Sequence, residues 1–182
     1  MTEPFRLTTP MNELTVRDLH AADRVLISGT LLTARDAAHL RLCQLIEQGK
    51  ELPIDLEGQV IYFVGPTPAP VGRVIGSAGP TTSSRMDRFS PMLHARGLRG
   101  TIGKGYRSPD VVESLRKYGA VHFSALGGAG ALLSKCIVSS KIVTYEDLGT
   151  EAIRKLEVVD FPAVVAYDVY GKSAYELTNT GK

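Results

Sequence analysis

The first third of the chain alternates continuous apolar runs with a helical spacing of apolar positions. Residues 25–32 and 60–64 are dominated by β-branched and other apolar side chains, which predicts two buried strands. Between them, residues 33–49 repeat apolar groups at helical spacing and end in a glycine. Thr33 and Asp36 have the spacing of a capping box, so we expect the helix to begin at Thr33.

The apolar pattern after residue 80 is weaker but still predicts both helices and strands. A helix is expected over 86–97, kinked or ended near Pro91, and another from Ser108. Strands are expected at 14–16 (an edge), 101–103, 120–123, 137–138, 141–143, 156–161 and 163–168, with a hairpin turn before 174–177. Helices and strands alternate early and strands gather late, which predicts one α/β domain over 1–182, with three layers and a mixed sheet.

Composition limits the classes of function. The 182 residues carry a net charge of +2, too balanced to indicate nucleic-acid binding. Neither a membrane-spanning apolar run nor a secretory signal is apparent, so we expect a cytoplasmic protein with no membrane partner. Cys43, Cys136 and the four histidines have no metal-site spacing, so no complete metal centre is expected from this chain.

Three segments combine glycines or helix starts with cationic side chains. They are Arg35 with Asp36, the segment 79–85, and Lys104 between two glycines. Each is expected at a strand-to-helix junction, where ligands collect in open α/β sheets. Two arginines and a lysine brought together there would suit a substrate with two carboxylates. The alternative, for each segment alone, is a solvated charge near a turn.

The segment 76–87 is the most informative of the three. Its glycines permit close backbone approach, its hydroxyls can donate hydrogen bonds, and Arg85 offers a planar fork for a carboxylate. If a helix begins there, its free N–H groups would also attract an anion. The alternative is a strongly capped helix with a surface arginine. The turn around Lys104 lacks the glycine spacing and hydroxyl of a phosphate-binding P-loop.

Several of these motifs, in this order, resemble one known family. The series resembles the beta subunit of class I, iron–sulfur-dependent fumarate hydratases and L(+)-tartrate dehydratases, and equally the C-terminal domain of single-chain class I fumarases. The resemblance covers about residues 14 to 177. The motifs that carry it are 33–39, 79–87, 102–105, 121–133, 145–153, 156–158 and 160–163.

The resemblance implies a hydro-lyase that reversibly dehydrates a 2-hydroxy dicarboxylic acid, with (S)-malate and fumarate placed first. It implies a swivelling β/β/α domain and a [4Fe–4S] cluster ligated by the cysteines of a partner alpha subunit, in a heterodimer or an α₂β₂ assembly. An open iron of that cluster would act as a Lewis acid on the substrate hydroxyl. An L(+)-tartrate dehydratase beta subunit and a non-catalytic small-dicarboxylate binding module stay open as alternatives.

The resemblance also implies roles for individual residues. Arg35 and Arg85 would clamp the substrate carboxylates, and Gly79 and Thr82 would also bind substrate. Thr81 would remove the carbon-bound proton, assisted by Lys104. A threonine hydroxyl is a poor base unless another group takes its proton, so the identity of the base stays open. Residues 105–108 receive no role.

Overall fold

A computed structural model describes residues 3–125 and 128–179. The strands are β1 Phe5–Thr9, β2 Arg24–Thr33, β3 Val60–Tyr62, β4 Gly100–Gly103, β5 Val121–Ser124, β6 Ile137–Thr144 and β7 Ile153–Tyr167. The α-helices are α1 Glu13–Arg17, α2 Asp36–Glu47, α3 Ser90–His94, α4 Pro109–Tyr118, α5 Gly130–Leu133 and α6 Ala174–Asn179. Short 3₁₀ helices cover Ser83–Met86, Ser134–Cys136 and Glu146–Glu151. Within these ranges no helix has both the length and the apolar character to cross a membrane.

The strands form one mixed sheet in the order β1-β2-β3-β4-β5-β7-β6. Neighbouring strands from β1 to β5 are parallel, whereas β7 runs antiparallel to β5, β6 and β2. The pairing of β7 with β2 closes β2, β3, β4, β5 and β7 into a ring. The predicted α/β class and mixed sheet are confirmed.

The strand β2 changes its neighbour along its length. Its first half pairs with β1 up to Gly29, and its last two residues pair with β3. Gly29 has a φ of +107°, and a side chain there would place its Cβ 2.5 Å from the Thr9 carbonyl oxygen. Glycine is therefore required where β1 comes closest to β2.

Two large hydrophobic cores lie on the two faces of the sheet, and a smaller one joins α4 to the end of β7. Along β3 the side chains of Val60 and Tyr62 join one core, with apolar residues from the other strands of the ring. Ile61 and the next residue, Phe63, point the other way and pack with residues of α2 and α3. Alternation along a strand sends successive side chains to opposite faces, so one short strand supports both cores.

Several predicted elements differ from the structure. Leu14 lies in helix α1, where the side chain of Asn12 caps the helix by accepting from the N–H of Thr15, so the edge strand predicted there is wrong. The edges of the sheet are instead formed by β1 and β6. The strand predicted at 174–177 is helix α6. The two strands predicted over 156–168 are one strand, β7, which continues through Pro162.

The predicted capping box at Thr33 is also wrong. Thr33 is the last residue of β2, and its hydroxyl donates to the carbonyl of Ala152 and accepts from the N–H of Arg154. The N-cap position is occupied by Arg35, two residues later than predicted, and helix α2 begins at Asp36. The strand continues further than local sequence indicates because Arg154 of β7, and Ala152 just before β7, provide hydrogen-bond partners for Thr33.

Candidate functional site

Three adjacent parallel strands bring the three candidate segments together. The carboxyl end of β2 leads to Arg35, and the carboxyl end of β4 leads to Lys104. The chain after β3 passes through a long loop before returning to Phe63, whose carbonyl accepts from the N–H of Thr81 at 2.7 Å. Because β2, β3 and β4 are neighbours in the sheet, all three segments emerge at the same edge.

Main-chain hydrogen bonds join the Thr81 segment to Lys104. The N–H of Lys104 donates to the carbonyl of Thr81 at 3.2 Å, and the N–H of Ser83 donates to the carbonyl of Lys104 at 2.8 Å. Thr82 lies opposite Lys104 in a parallel bridge. These contacts extend the sheet past the ends of β3 and β4.

The helix start predicted after the hydroxyl run is shorter than expected. The helix after the hydroxyl run is a 3₁₀ turn of four residues, Ser83–Met86. The N–H groups of Thr81 and Ser83 are already bonded to carbonyl oxygens of Phe63 and Lys104. These two N–H groups are therefore not available to bind an anion.

Gly103 allows the close approach between β4 and the Thr81 segment. A Cβ at Gly103 would lie 2.9 Å from the Phe63 ring and 3.2 Å from the Thr81 carbonyl oxygen, and would also overlap the Ser83 hydroxyl. Real Cβ atoms do not occupy such a space without displacing their neighbours. The glycine therefore sets how near the segment sits to Lys104.

Arg85 forms a two-point ion pair with Asp36. Its Nε donates to one carboxylate oxygen at 3.2 Å and its Nη2 donates to the other at 2.6 Å. The side chain of Arg85 is 48% exposed and that of Asp36 is 33% exposed. Arg85 thus has a fixed neighbour on α2 and is not a free surface arginine.

Arg35 is held by packing more than by hydrogen bonds. Its guanidinium lies on Gly65, where an added Cβ would be 2.5 Å from Nη1. Its Nε lies 3.8 Å from an oxygen of Glu151 and, within the described chain, is buried without a hydrogen-bond partner. The same Glu151 oxygen accepts from the N–H of Ala37 at 3.3 Å. Arg35 therefore retains hydrogen-bonding capacity for a ligand.

The remaining predicted site residues lie around this edge. Thr82 and Lys104 are exposed and Thr81 is partly exposed. Gly79 packs backbone to backbone on Gly130, where an added Cβ would lie 2.8 Å from the Gly79 N atom. The absence of a side chain at Gly130 therefore allows the two backbones to approach closely. Gly127, in the same glycine-rich stretch, lies outside the described residues.

The main residue that sequence reasoning missed is Arg107, whose side chain is fully buried. Its Nε donates to Asp87 at 2.7 Å, its Nη2 donates to the Ser90 hydroxyl at 2.6 Å, and its guanidinium lies 5.4 Å from the Phe63 ring centre. Asp87 comes directly after the 3₁₀ turn that carries Arg85, and its other oxygen accepts from the N–H of Ser108. The buried Arg107, through its ion pair with Asp87, therefore holds the turn that carries Arg85 against the core.

Three histidines are buried in the same core as Arg107. Burial lowers the pKa of His39 to about 4 and that of His94 to about 3, with a further lowering by the positive charge of Arg107. Burial and Arg107 also bring the pKa of His122 well below its ordinary value. His94 is therefore uncharged although it lies at the end of α3, and the Nδ1 of His122 lies 2.8 Å from the Thr101 hydroxyl oxygen. These imidazoles are neutral parts of the core.

The described residues do not fit the ligand set of an iron–sulfur cluster. Cys43 is buried, with its Sγ 3.9 Å from the Phe89 carbonyl oxygen, and burial raises the pKa of its thiol to about 11. Cys136 lies beside the carbonyl of Asp160. Over 3–125 and 128–179, no three or more His, Cys, Asp or Glu side chains gather as a metal site would require. Cluster ligation by several thiolates has no basis in this part of the chain.

Comparisons with known proteins identify the family of the chain. The model of the family described as Fumarase C-terminus matches residues 2–178. The class I, anaerobic fumarate hydratase of Escherichia coli is 37% identical over 174 residues, covering 93% of this chain and 32% of that protein. Fumarate hydratase 2 of Leishmania major is 37% identical over 157 residues, covering 85% of this chain and 28% of that protein.

A further relative is close to this chain in length. The putative L(+)-tartrate dehydratase subunit beta of Methanocaldococcus jannaschii is 36% identical over 177 residues, covering 92% of this chain and 91% of that protein. By contrast, the chain spans only about a third of the fumarate hydratases it matches. The family model nonetheless accounts for almost every residue, and the chain belongs to the Fumarase C-terminus family.

Proposed function

We propose that this chain is the beta subunit of a hydro-lyase that reversibly dehydrates a 2-hydroxy dicarboxylic acid, with (S)-malate and fumarate as the first candidates. The observation that carries the proposal is the meeting of Arg35, Arg85, Thr81 and Lys104 at the ends of three adjacent parallel strands. A chain of nearly the same length is named as a tartrate dehydratase beta subunit. A structural scaffold would need none of these four side chains.

The two arginines bind the two carboxylates of the substrate. The Arg85 guanidinium uses its Nε–Nη2 edge for Asp36, which leaves its Nη1–Nη2 edge for a second carboxylate. Arg35 is half-buried against Gly65, and its buried Nε has no hydrogen-bond partner among the described residues. Two arginines fixed on different elements favour a diacid over a monoacid, because each carboxylate then receives its own fork.

Thr81 takes the carbon-bound proton while its own hydroxyl proton passes to water or to a base of the partner subunit, and Lys104 acts beside it. Negative charge develops on the neighbouring substrate carboxylate as the proton leaves, and the cation of Lys104, whose main-chain N–H donates to the Thr81 carbonyl, stabilises that charge. Thr81 and Lys104 are held by main-chain hydrogen bonds, so their side chains are free to face the substrate. We also assign substrate binding to Thr82 and Gly79, which belong to the same segment as Thr81.

The active enzyme needs a partner that supplies the cluster. The described residues of this chain do not fit as cluster ligands, so we assign the [4Fe–4S] cluster to cysteines of an alpha subunit. When bound there, the cluster would supply Lewis-acid activation of the leaving hydroxyl. An open edge that carries three cations is the surface we assign to this partner, in a heterodimer or an α₂β₂ assembly. Cys43 and Cys136 are free thiols, which supports a cytoplasmic location.

We further infer that the domain is a three-layer, swivelling β/β/α unit. The support is the ring formed by β2–β7 pairing together with the core that α2 and α3 build on the outer face of β3. Such an arrangement places the site at one end of the sheet, where rotation of the whole unit would bring it to a cluster on the partner.

The function is tested by anaerobic co-expression with a cysteine-bearing alpha subunit, followed by reconstitution of the cluster. Conversion of malate to fumarate is followed by absorbance, beside a parallel assay with L-tartrate. We expect malate turnover only when both chains are present. Tartrate turnover alone would move the assignment to the sister activity that the Methanocaldococcus relative's name suggests. If a stable complex with an intact cluster turned over neither substrate, the chain would be a dicarboxylate-binding module or would act on another hydroxy acid.

A further inference from the structure

We propose that Asp36 is a positioning residue that sets the placement of Arg85 for the second carboxylate of the substrate. The inference rests on the proposed function, because it assigns Asp36 a part in dicarboxylate binding. It is carried by the two-point contact of the Asp36 carboxylate with the Nε and Nη2 of Arg85.

Arg85 needs an external anchor. It lies on a 3₁₀ turn of four residues, and its side chain is nearly half exposed. A long side chain on such a turn samples many rotamers in the free protein, and ordering it on binding costs affinity. The Asp36 carboxylate removes much of that freedom before the substrate arrives.

Asp36 is itself well placed to act as the anchor. It is the first residue of the twelve-residue helix α2, where a carboxylate is favoured by the helix dipole. Arg35 immediately precedes it and lies against Gly65. One end of the helix therefore sets the positions of both arginines, Arg35 through the main chain and Arg85 through the ion pair.

This arrangement also makes Asp36 a specificity-determining residue. The distance between two carboxylate-binding forks selects the length of the diacid, and here one short link, Arg35-Asp36-Arg85, sets that distance. Asp36 occupies the Nε–Nη2 edge of the Arg85 guanidinium, so a substrate carboxylate can bind only the Nη1–Nη2 edge, in one orientation. Asp36 does not touch the reacting atoms and acts through Arg85.

The test compares Asp36→Asn with a matched control in the complex of this chain and its alpha subunit. Asp147 forms the same kind of two-point pair with Arg41, further along α2, and Asp147→Asn serves as the control. We measure KM and kcat for malate, the dissociation constant for fumarate, and the thermal midpoint of each variant. For Asp36→Asn we expect KM and the dissociation constant to rise about tenfold, the gain available from pre-ordering one long side chain, with kcat changed much less. Asp147→Asn should match the wild type in both constants.

The outcomes separate this inference from the proposed function. Unchanged KM and fumarate dissociation constant in Asp36→Asn, with the wild type active, would overturn the positioning role and leave the function intact. Tighter fumarate binding would also overturn it, because Asp36 would then compete with the substrate for Arg85. Fumarate binding that weakens in Asp36→Asn, without turnover by any variant, would support the positioning role while the hydro-lyase function fails. If Asp147→Asn weakened fumarate binding equally, the effect would come from a general loss of stability of α2, and the positioning role would be overturned.

Discussion

The main-chain N–H of Lys104 donates a 3.2 Å hydrogen bond to the carbonyl oxygen of Thr81. The residue proposed to take the proton, Thr81, and the cation beside it, Lys104, are therefore fixed relative to each other by backbone atoms, not by their side chains. Either side chain can be shortened while the bridge between the two segments persists, which makes both residues suitable for testing by substitution.

Thr81→Ala should lower turnover far more than substrate affinity. The variant loses the hydroxyl proposed to take the proton but keeps the main-chain bonds to Phe63 and Lys104. Removing a general base typically costs about 10²–10⁴-fold in rate, so kcat for malate should fall by about that factor while KM changes little. Thr81→Ser keeps the hydroxyl and is the control. Wild-type turnover by Thr81→Ala would eliminate this residue as the base.

Arg85→Lys should not behave as a conservative change. A lysine offers a single ammonium in place of the planar fork, so it cannot hold Asp36 and a substrate carboxylate on two separate edges. We expect KM for malate to rise about tenfold or more, from the loss of a charged hydrogen bond. Arg41→Lys breaks a similar pair with Asp147 elsewhere on α2 and should leave the kinetics unchanged. Normal kinetics for Arg85→Lys would contradict the clamp.

Gly65→Ala should displace Arg35 while leaving the fold intact. The added Cβ would lie 2.5 Å from the Arg35 Nη1 and 3.1 Å from its Cδ, and the end of a long side chain can move away. We therefore expect a raised KM with a nearly unchanged thermal midpoint, and an effect that is lost when Arg35 is already alanine. Additive effects of the two substitutions would show that Gly65 acts independently of Arg35.

Gly103→Ala should instead destabilise the protein. Its Cβ would meet the Phe63 ring and the Thr81 carbonyl, neither of which can rotate away. Overpacking of this kind typically costs about 1–3 kcal/mol, measurable as a lower midpoint of urea unfolding. A midpoint equal to that of the wild type would mean that the Thr81 segment is looser than the structure shows.

Stability should fall as the pH drops from 6.5 toward 4. Burial lowers the pKa of His39 to about 4 and that of His94 to about 3, so in this range the unfolded chain binds protons that the folded chain does not. Each such histidine then costs about 1.4 kcal/mol per pH unit. Urea unfolding at pH 7, 6 and 5 measures the slope, and His94→Gln should reduce it by about one proton. A flat profile above pH 5 would show that these imidazoles are hydrated.

The candidate site was accessible to sequence reasoning because its parts depend on local patterns. Buried strands ending at Thr33 and near Lys104 are visible as apolar runs and breaks, and adjacent parallel strands deliver the segments after them to one edge of the sheet. The pairing of Thr82 with Lys104 was not visible, since it depends on the loop between Phe63 and Thr81 folding back onto the sheet.

The buried polar core could not be predicted in the same way. An arginine in a loop is normally exposed, and only contacts distant in sequence make Arg107 an exception. Its carboxylate partner is Asp87, and the Thr101 hydroxyl bridges to His122. Short elements were also misjudged, as with Leu14, because three residues carry too little periodicity to separate a strand from one helical turn.

Because Arg107 is buried, the turn that carries Arg85 must fold together with the core. An unpaired guanidinium in this core would be strongly unfavourable, and Asp87, which neutralises it, comes directly after the turn that carries Arg85. A partly folded chain with its core assembled and this turn detached would leave a buried charge without its counterion. Intermediates of that kind are therefore sparsely populated, and amides around Asp87 should exchange with solvent only through global unfolding. A loop that would otherwise be free to fluctuate thus acquires the rigidity of the interior.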